Sequence, residues 1–102
     1  SFPLEVRATG ADDTWLGTAS GRQSAYIAVH RYAGEPSREF FQAMEQVFVH
    51  YGGRPHWGKL HTRDSSYLSS VYPRFDEFLA QRDAADPQGT MLNEHLRHIL
   101  GR

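Results

Sequence analysis

Only two stretches of this chain alternate with the period of a β-strand, and both lie in its first third. Residues 2–8 set Phe2, Leu4, Val6 and Ala8 on one face and Pro3, Glu5 and Arg7 on the other. Residues 24–32 set Ala25, Ile27 and Val29 against Tyr26, Ala28, His30 and Tyr32, so His30 shares a face with two tyrosines. Two strands do not make a stable free sheet, which needs a third strand or a covering helix. Either the helices of this chain cover the pair, or further strands come from residues outside it, and the second arrangement is the expected one. The chain also enters its first strand pattern within a few residues of Ser1 and without an initiator Met, as expected for a piece of a longer protein.

Everything after residue 34 reads as helix or irregular backbone. Glu35-Pro36-Ser37 opens a helix in which Phe40, Phe41, Met44, Val47, Phe48 and Tyr51 recur at helical spacing, and Gly52-Gly53 stops it. Residues 54–62 have no clean period, and residues 64–71 fit a turn or two of helix. Pro73 starts a further helix that Asp86-Pro87 and Gly89 end, and a last one runs from Thr90 as N-cap to Gly101. Residues 9–22 form a glycine-rich loop anchored by Trp15 and Leu16, with a turn at Ser20-Gly21. The fold class is therefore α+β, antiparallel strands with covering helices and a helical C-terminal tail.

Composition narrows function mainly by exclusion. At 102 residues there is room for one small domain and one core. Eleven cations against 12 anions leave a net charge of −1, with no basic surplus for a nucleic acid backbone. The absence of cysteine removes disulfides, thiolate nucleophiles and zinc–thiolate sites. No apolar run approaches the roughly 20 residues that span a bilayer, and the expected location is the cytoplasm, free or peripherally associated with a membrane. Six histidines raise the question of a metal. His50, His56 and His61, or Glu94, His95 and His98, lack a third ligand on a shared face, and no metal site is expected.

Two places carry candidate chemistry. Glu5 and Arg7, two apart on a strand, can pair with each other or grip adjacent oxygens of a polyhydroxy ligand; the plainer reading is an exposed charge pair. The run Gly52-Gly53-Arg54-Pro55-His56-Trp57-Gly58-Lys59 concentrates cations and an indole between glycines, and it holds the one lysine among eleven cations. Such a loop suits an anion or an electron-rich ring, with Arg54 or Lys59 as the charge and Trp57 as a flat surface. The plainer reading is a helix C-cap followed by a loop whose Trp fills the core.

The second run, taken with others in the same order, resembles the C-terminal part of the aldonolactone oxidases, typified by D-arabinono-1,4-lactone and L-gulono-1,4-lactone oxidases, with the alditol oxidases close behind. The resemblance rests on Phe2-Pro3-Leu4-Glu5-Val6-Arg7, Ala11-Asp12-Asp13, Ser20-Gly21-Arg22 and Tyr26-Ile27-Ala28-Val29-His30. It continues through Gly53-Arg54-Pro55-His56-Trp57-Gly58-Lys59, Tyr72-Pro73-Arg74, Arg82-Asp83, Asp86-Pro87, Asn93 and Leu100-Gly101. These are flavoproteins of the vanillyl-alcohol-oxidase superfamily, several hundred residues long, with an FAD-binding domain ahead of a substrate, or cap, domain.

The resemblance implies that residues 1–102 are the later part of the cap and its helical tail, and that the FAD-binding domain is not among them. It implies oxidation of an alcohol of an aldonolactone by hydride transfer to FAD, with oxygen or another electron acceptor closing the cycle. By the same resemblance Glu5, Arg7 and Lys59 are catalytic, His30, Tyr32 and His56 bind substrate, and Trp57 and Asn93 lie on the cofactor side. Fixed cations suit a ring that gains negative charge, and a placed carboxylate suits a substrate hydroxyl. Tyr32 stands where alditol oxidases carry a small hydroxyl residue, which favours lactones over polyols such as xylitol and sorbitol. The competing reading is a noncatalytic module that binds a sugar or a protein. As a cap piece, the chain is expected to be inactive alone, to hold no FAD and to self-associate through bare sheet edges.

Overall fold

The computed structural model describes residues 4–102, and in it the alternating segments pair as β1 (Glu5–Thr9) and β2 (Ser24–Ala28). The ribbon is antiparallel, with Glu5 opposite Ala28, Val6 opposite Ile27 and Arg7 opposite Tyr26. The proposed start of the first strand at Phe2 and Pro3 falls outside the described residues, and β2 stops at Ala28, short of the expected residue 32. Every residue of β1 is exposed. Val6 and Ile27 face each other on one side of the ribbon at 65% and 43% exposure, so no helix covers that side.

The helices pack on each other. They are α1 (Arg38–His50), α2 (Ser65–Val71), α3 (Phe75–Ala85) and α4 (Glu94–Leu100). Leu68, Tyr72, Phe75, Leu79, Ile99 and Leu100 form the buried core where α2 meets α3 and α4. Leu16 and Trp57 reach it from the two loops. Full burial of each large apolar side chain stabilises by about 1.5–3 kcal/mol, so this cluster holds most of the burial energy. By contrast α1, although amphipathic, buries none of its residues. The radius of gyration is 15.1 Å, against about 13 Å for a compact domain of this length, because the ribbon and α1 stand away from the core.

Three boundaries differ from the sequence reading, each for a local reason. Pro36 and Pro73 lie outside their helices, and Ser37 and Arg74 take the N-cap positions. The last helix begins at Asn93 and not at Thr90. Asp86 captures the Thr90 and Met91 N–H groups at 2.8 and 2.9 Å, which closes a turn there. Asn93 Oδ1 then caps α4 by accepting from the Leu96 N–H at 2.8 Å. At the far end Gly101 has φ 69°, and a Cβ there would stand 2.8 Å from Ser65 Oγ, so only glycine ends the helix against α2.

Candidate functional site

Because Glu5 and Arg7 are two residues apart on one strand, both project from the same ribbon face, and their side chains form an ion pair. His30, just past β2, brings Nε2 to 4.0 Å from the other Glu5 oxygen. One carboxylate thus holds a guanidinium on one oxygen and stands near an imidazole on the other. Arg7 is 74% exposed in its side chain, so Glu5 orients it without burying it. The group can offer hydrogen-bond donors and an acceptor side by side to hydroxyls of a ligand. Tyr32 follows on an exposed stretch and is half exposed.

The glycine-rich loop after α1 is rigid by construction. Gly52 takes φ 66° after the Tyr51 cap, and Gly53 N–H returns to the Phe48 carbonyl at 2.7 Å. A Cβ on Gly53 would lie 2.8 Å from that same oxygen. The Tyr67 hydroxyl donates to the Gly53 carbonyl at 2.6 Å. His56 Nδ1 accepts from the Gly58 N–H at 3.1 Å, and the Lys59 N–H returns to the His56 carbonyl at 3.0 Å. Lys59 therefore sits at the end of a tight turn, exposed, and forms no ion pair among the described residues. His56 is exposed beside it and lines a 220 Å³ cleft with Leu16, Thr18, Pro55, Trp57, Gly58 and Tyr72.

Arg54 turns its Nε and Nη1 donors inward onto backbone carbonyls. Its Nε donates to the Val71 carbonyl at 2.8 Å, and its Nη1 reaches the carbonyls of Ser20 at 2.8 Å and Thr18 at 3.1 Å. The guanidinium also lies 4.9 Å from the centre of the Tyr72 ring. Of the two cations considered for this loop, Arg54 ties the chain together and Lys59 faces outward. Trp57 packs edge-on to Tyr72, with ring centroids 6.0 Å apart, at the margin of the core. Its Nε1 neighbours the Tyr72 hydroxyl, yet neither atom completes a hydrogen bond. Burial pushes the Tyr72 hydroxyl pKa up. Asn93 spends its side-chain oxygen on the α4 cap described above.

Periodicity and motif spacing missed a histidine pair. His61 and His95 are 34 positions apart and meet ring to ring at 6.0 Å. His95 Nε2 lies 2.8 Å from the Trp57 carbonyl, and His61 Nδ1 accepts from the Arg63 N–H at 3.1 Å. Burial holds the His61 pKa below the ordinary imidazole value, with His95 and Arg63 acting the same way against Glu45. Glu45 on α1 accepts from the Thr62 N–H at 2.8 Å, from the Thr62 hydroxyl and from Arg63 Nε at 3.1 Å. Burial raises its pKa, but these donors outweigh it and the net shift is downward. No sequence period could have joined residues 45, 61 and 95; the only signal was the crowding of charge in residues 59–64. Among the described residues, no three histidine or carboxylate groups converge as metal ligands.

The family described as D-arabinono-1,4-lactone oxidase matches residues 1–99. An L-gulono-1,4-lactone dehydrogenase of Mycobacterium tuberculosis is 47% identical over 100 residues, 98% of this chain and 23% of that protein. An L-gulonolactone oxidase of Bos taurus is 36% identical over 97% of this chain and 23% of its own length. An alditol oxidase of a Streptomyces species is 32% identical over 94% of this chain, again 23% of its length. The chain is a member of the D-arabinono-1,4-lactone oxidase family. It spans about a quarter of the length of the curated relatives it matches.

Proposed function

We propose that this chain is the substrate-side part of a longer FAD-dependent oxidoreductase that oxidises an alcohol of an aldonolactone. The observation that carries the reading is the oriented Glu5–Arg7 pair with His30 beside it, on a ribbon face exposed in this chain. Family membership supports it, and so does the greater identity to an L-gulono-1,4-lactone dehydrogenase than to an alditol oxidase. The residues present fit a flavin: Arg7 and Lys59 are exposed cations of the kind that steady an electron-rich ring. The chemistry FAD supplies, when bound, is acceptance of a hydride from the substrate carbon and transfer of the electrons to oxygen or another acceptor.

The residues of this chain do the rest. Glu5 accepts the hydrogen bond of the reacting hydroxyl and takes its proton, a role worth about 10²–10⁴ in rate. Arg7, held by Glu5, and Lys59 place positive charge where negative charge develops. His30, Tyr32 and His56 line the approach and contact the remaining lactone oxygens. Trp57 and Asn93, committed to the core margin and to a helix cap, support the cofactor side by holding the loop and α4 in place.

The test is flavin reduction under anaerobic conditions in the full-length flavoprotein, with L-gulono- and D-arabinono-1,4-lactone as donors. Glu5→Gln, Arg7→Ala and Lys59→Ala are each expected to slow reduction by about 10²-fold or more. Unimpaired reduction in both cation variants overturns the assignment, and faster reduction by xylitol than by either lactone moves the substrate to polyols. Oxygen uptake separates an oxidase from a dehydrogenase.

A further inference from the structure

Arg54 and Arg22 cross between the same two loops in opposite directions. Arg54, in the glycine-rich loop, reaches back to the carbonyls of Gly17, Thr18 and Ser20 at 3.4, 3.1 and 2.8 Å. Arg22, at the end of the β1–β2 connection, reaches forward to the Gly52 carbonyl at 2.7 Å. The connection they grasp is itself closed. Asp12 and Ala19 are joined by a 3.0 Å backbone bond, Asp12 takes the Thr14 N–H at 3.0 Å, and Ala19 and Ser20 are buried. A Cβ at Gly17 would collide with the Thr14 and Asp12 side-chain oxygens, so any larger residue there has to displace the pair that closes the loop.

The same connection is fastened to the ribbon. Thr18 Oγ1 and the Tyr26 hydroxyl lie 2.6 Å apart, and Tyr26 is the cross-strand partner of Arg7. A continuous series of bonds therefore runs from the loop that ends in Lys59, through Arg54, to the Thr18 segment, and through Tyr26 to the strand position opposite Arg7. Charged donors on backbone carbonyls are stronger than neutral ones, and four acceptors around one guanidinium leave it little freedom.

We propose that Arg54, assisted by Arg22, is a positioning residue that sets Lys59 relative to Arg7. The proposal rests on the functional reading above for its catalytic consequence, and on the bond series alone for its geometry. Its value to a reaction is that a displacement of about 1 Å in a charge-stabilising group can cost about 10²-fold in rate.

These 102 residues contain no cysteine, so once any cysteine elsewhere in the full-length flavoprotein is replaced, Ala25→Cys and Leu60→Cys give two label sites, one on β2 and one beside Lys59. In the full-length flavoprotein, spin labels at these positions are expected to report a narrow distance distribution that broadens in Arg54→Met. Arg54→Lys keeps the charge but cannot span the carbonyls, and it is expected to broaden the distribution while moving Tm less. In unlabelled protein, Arg54→Lys is expected to lower the flavin reduction rate by about 10²-fold with little change in KM. In a Lys59→Ala background the same change is expected to alter the rate less than twofold. An unchanged distance distribution in both Arg54 variants overturns the proposal, as does an equal loss of rate in both backgrounds. Normal reduction in Lys59→Ala alone overturns the role of Lys59 in the functional reading, while the distance measurement still decides the positioning.

Discussion

The ribbon and the helical core divide the labour of this chain unequally. Between Leu68 and Leu100 the helices bury an apolar cluster whose largest members are almost fully enclosed. Between Leu4 and His30 the ribbon exposes Val6, Ile27 and Leu4 and carries Glu5, Arg7 and His30 on its other face. Apolar burial stabilises in proportion to area, whereas a charged group keeps its reactivity only where it is not already satisfied. The stable part is thus chemically quiet, and the candidate chemistry lies where stabilisation is scarce. The two arginines that cross between the loops are the mechanical link between these regions.

The sharpest way to break the comparison is to truncate each side. Leu68→Ala and Ile99→Ala, both at positions 0% exposed, are expected to cost about 2–5 kcal/mol each in denaturant titrations. Val6→Ala and Ile27→Ala on the ribbon are expected to stay within about 0.5 kcal/mol of the parent chain. A ribbon variant as damaging as a core variant would show that the ribbon is buried in solution. A mid-sized loss of Tm, smaller than at Leu68 or Ile99, is expected at Asp86→Ala, which loses the turn ahead of α4 and the 2.9 Å bond from Arg82.

The pH response tests the junction between α1, the residue 61–63 segment and α4. His61 has a folded-state pKa below its ordinary value of 6.5, so the folded chain binds fewer protons than the unfolded one. Its contribution is complete above about 6.5 and is lost as pH falls below that value. Glu45 is also depressed, from 4.5, and its contribution is present above that value and lost as pH falls through the lowered one. Tm is therefore expected to fall in two steps on acidification, and His61→Gln is expected to flatten only the upper one. A single step unaffected by His61→Gln would refute the histidine assignment.

The smallest expected effects concern the uncovered faces. The isolated chain is expected to self-associate with increasing concentration in sedimentation measurements, and Val6→Lys is expected to reduce this by placing a charge on the bare face. Arg74→Ala removes an exposed pair with Glu77 and is expected to leave Tm almost unchanged.

Local rules were legible in the residues themselves. Alternation puts Glu5 and Arg7 on one face of the first strand and His30 on the Tyr26 face of the second, and the register, with Arg7 opposite Tyr26, brings the two faces to one side of the ribbon. Asp64 at a helix start and Gly52 and Gly101 at helix ends behave as their side chains, or lack of them, require. The cap of α4 lies at Asn93, three residues beyond Thr90, because Asp86 holds the Thr90 and Met91 N–H groups in a turn and Asn93 is the side chain that accepts from the Leu96 N–H. Arg54 looked like a ligand-binding cation because its four acceptors are backbone carbonyls, which have no residue signature.

By itself the sequence determined the element types, the shared face of Glu5 and Arg7 and the family, since each depends on residue identity at short spacing. Only the tertiary structure decided that the helices would leave the ribbon bare, that Arg54 would turn inward while Lys59 turned out, and that His61 would meet His95. Those outcomes depend on which backbone atoms and which distant side chains arrive at the same place, and that follows from how the whole chain packs.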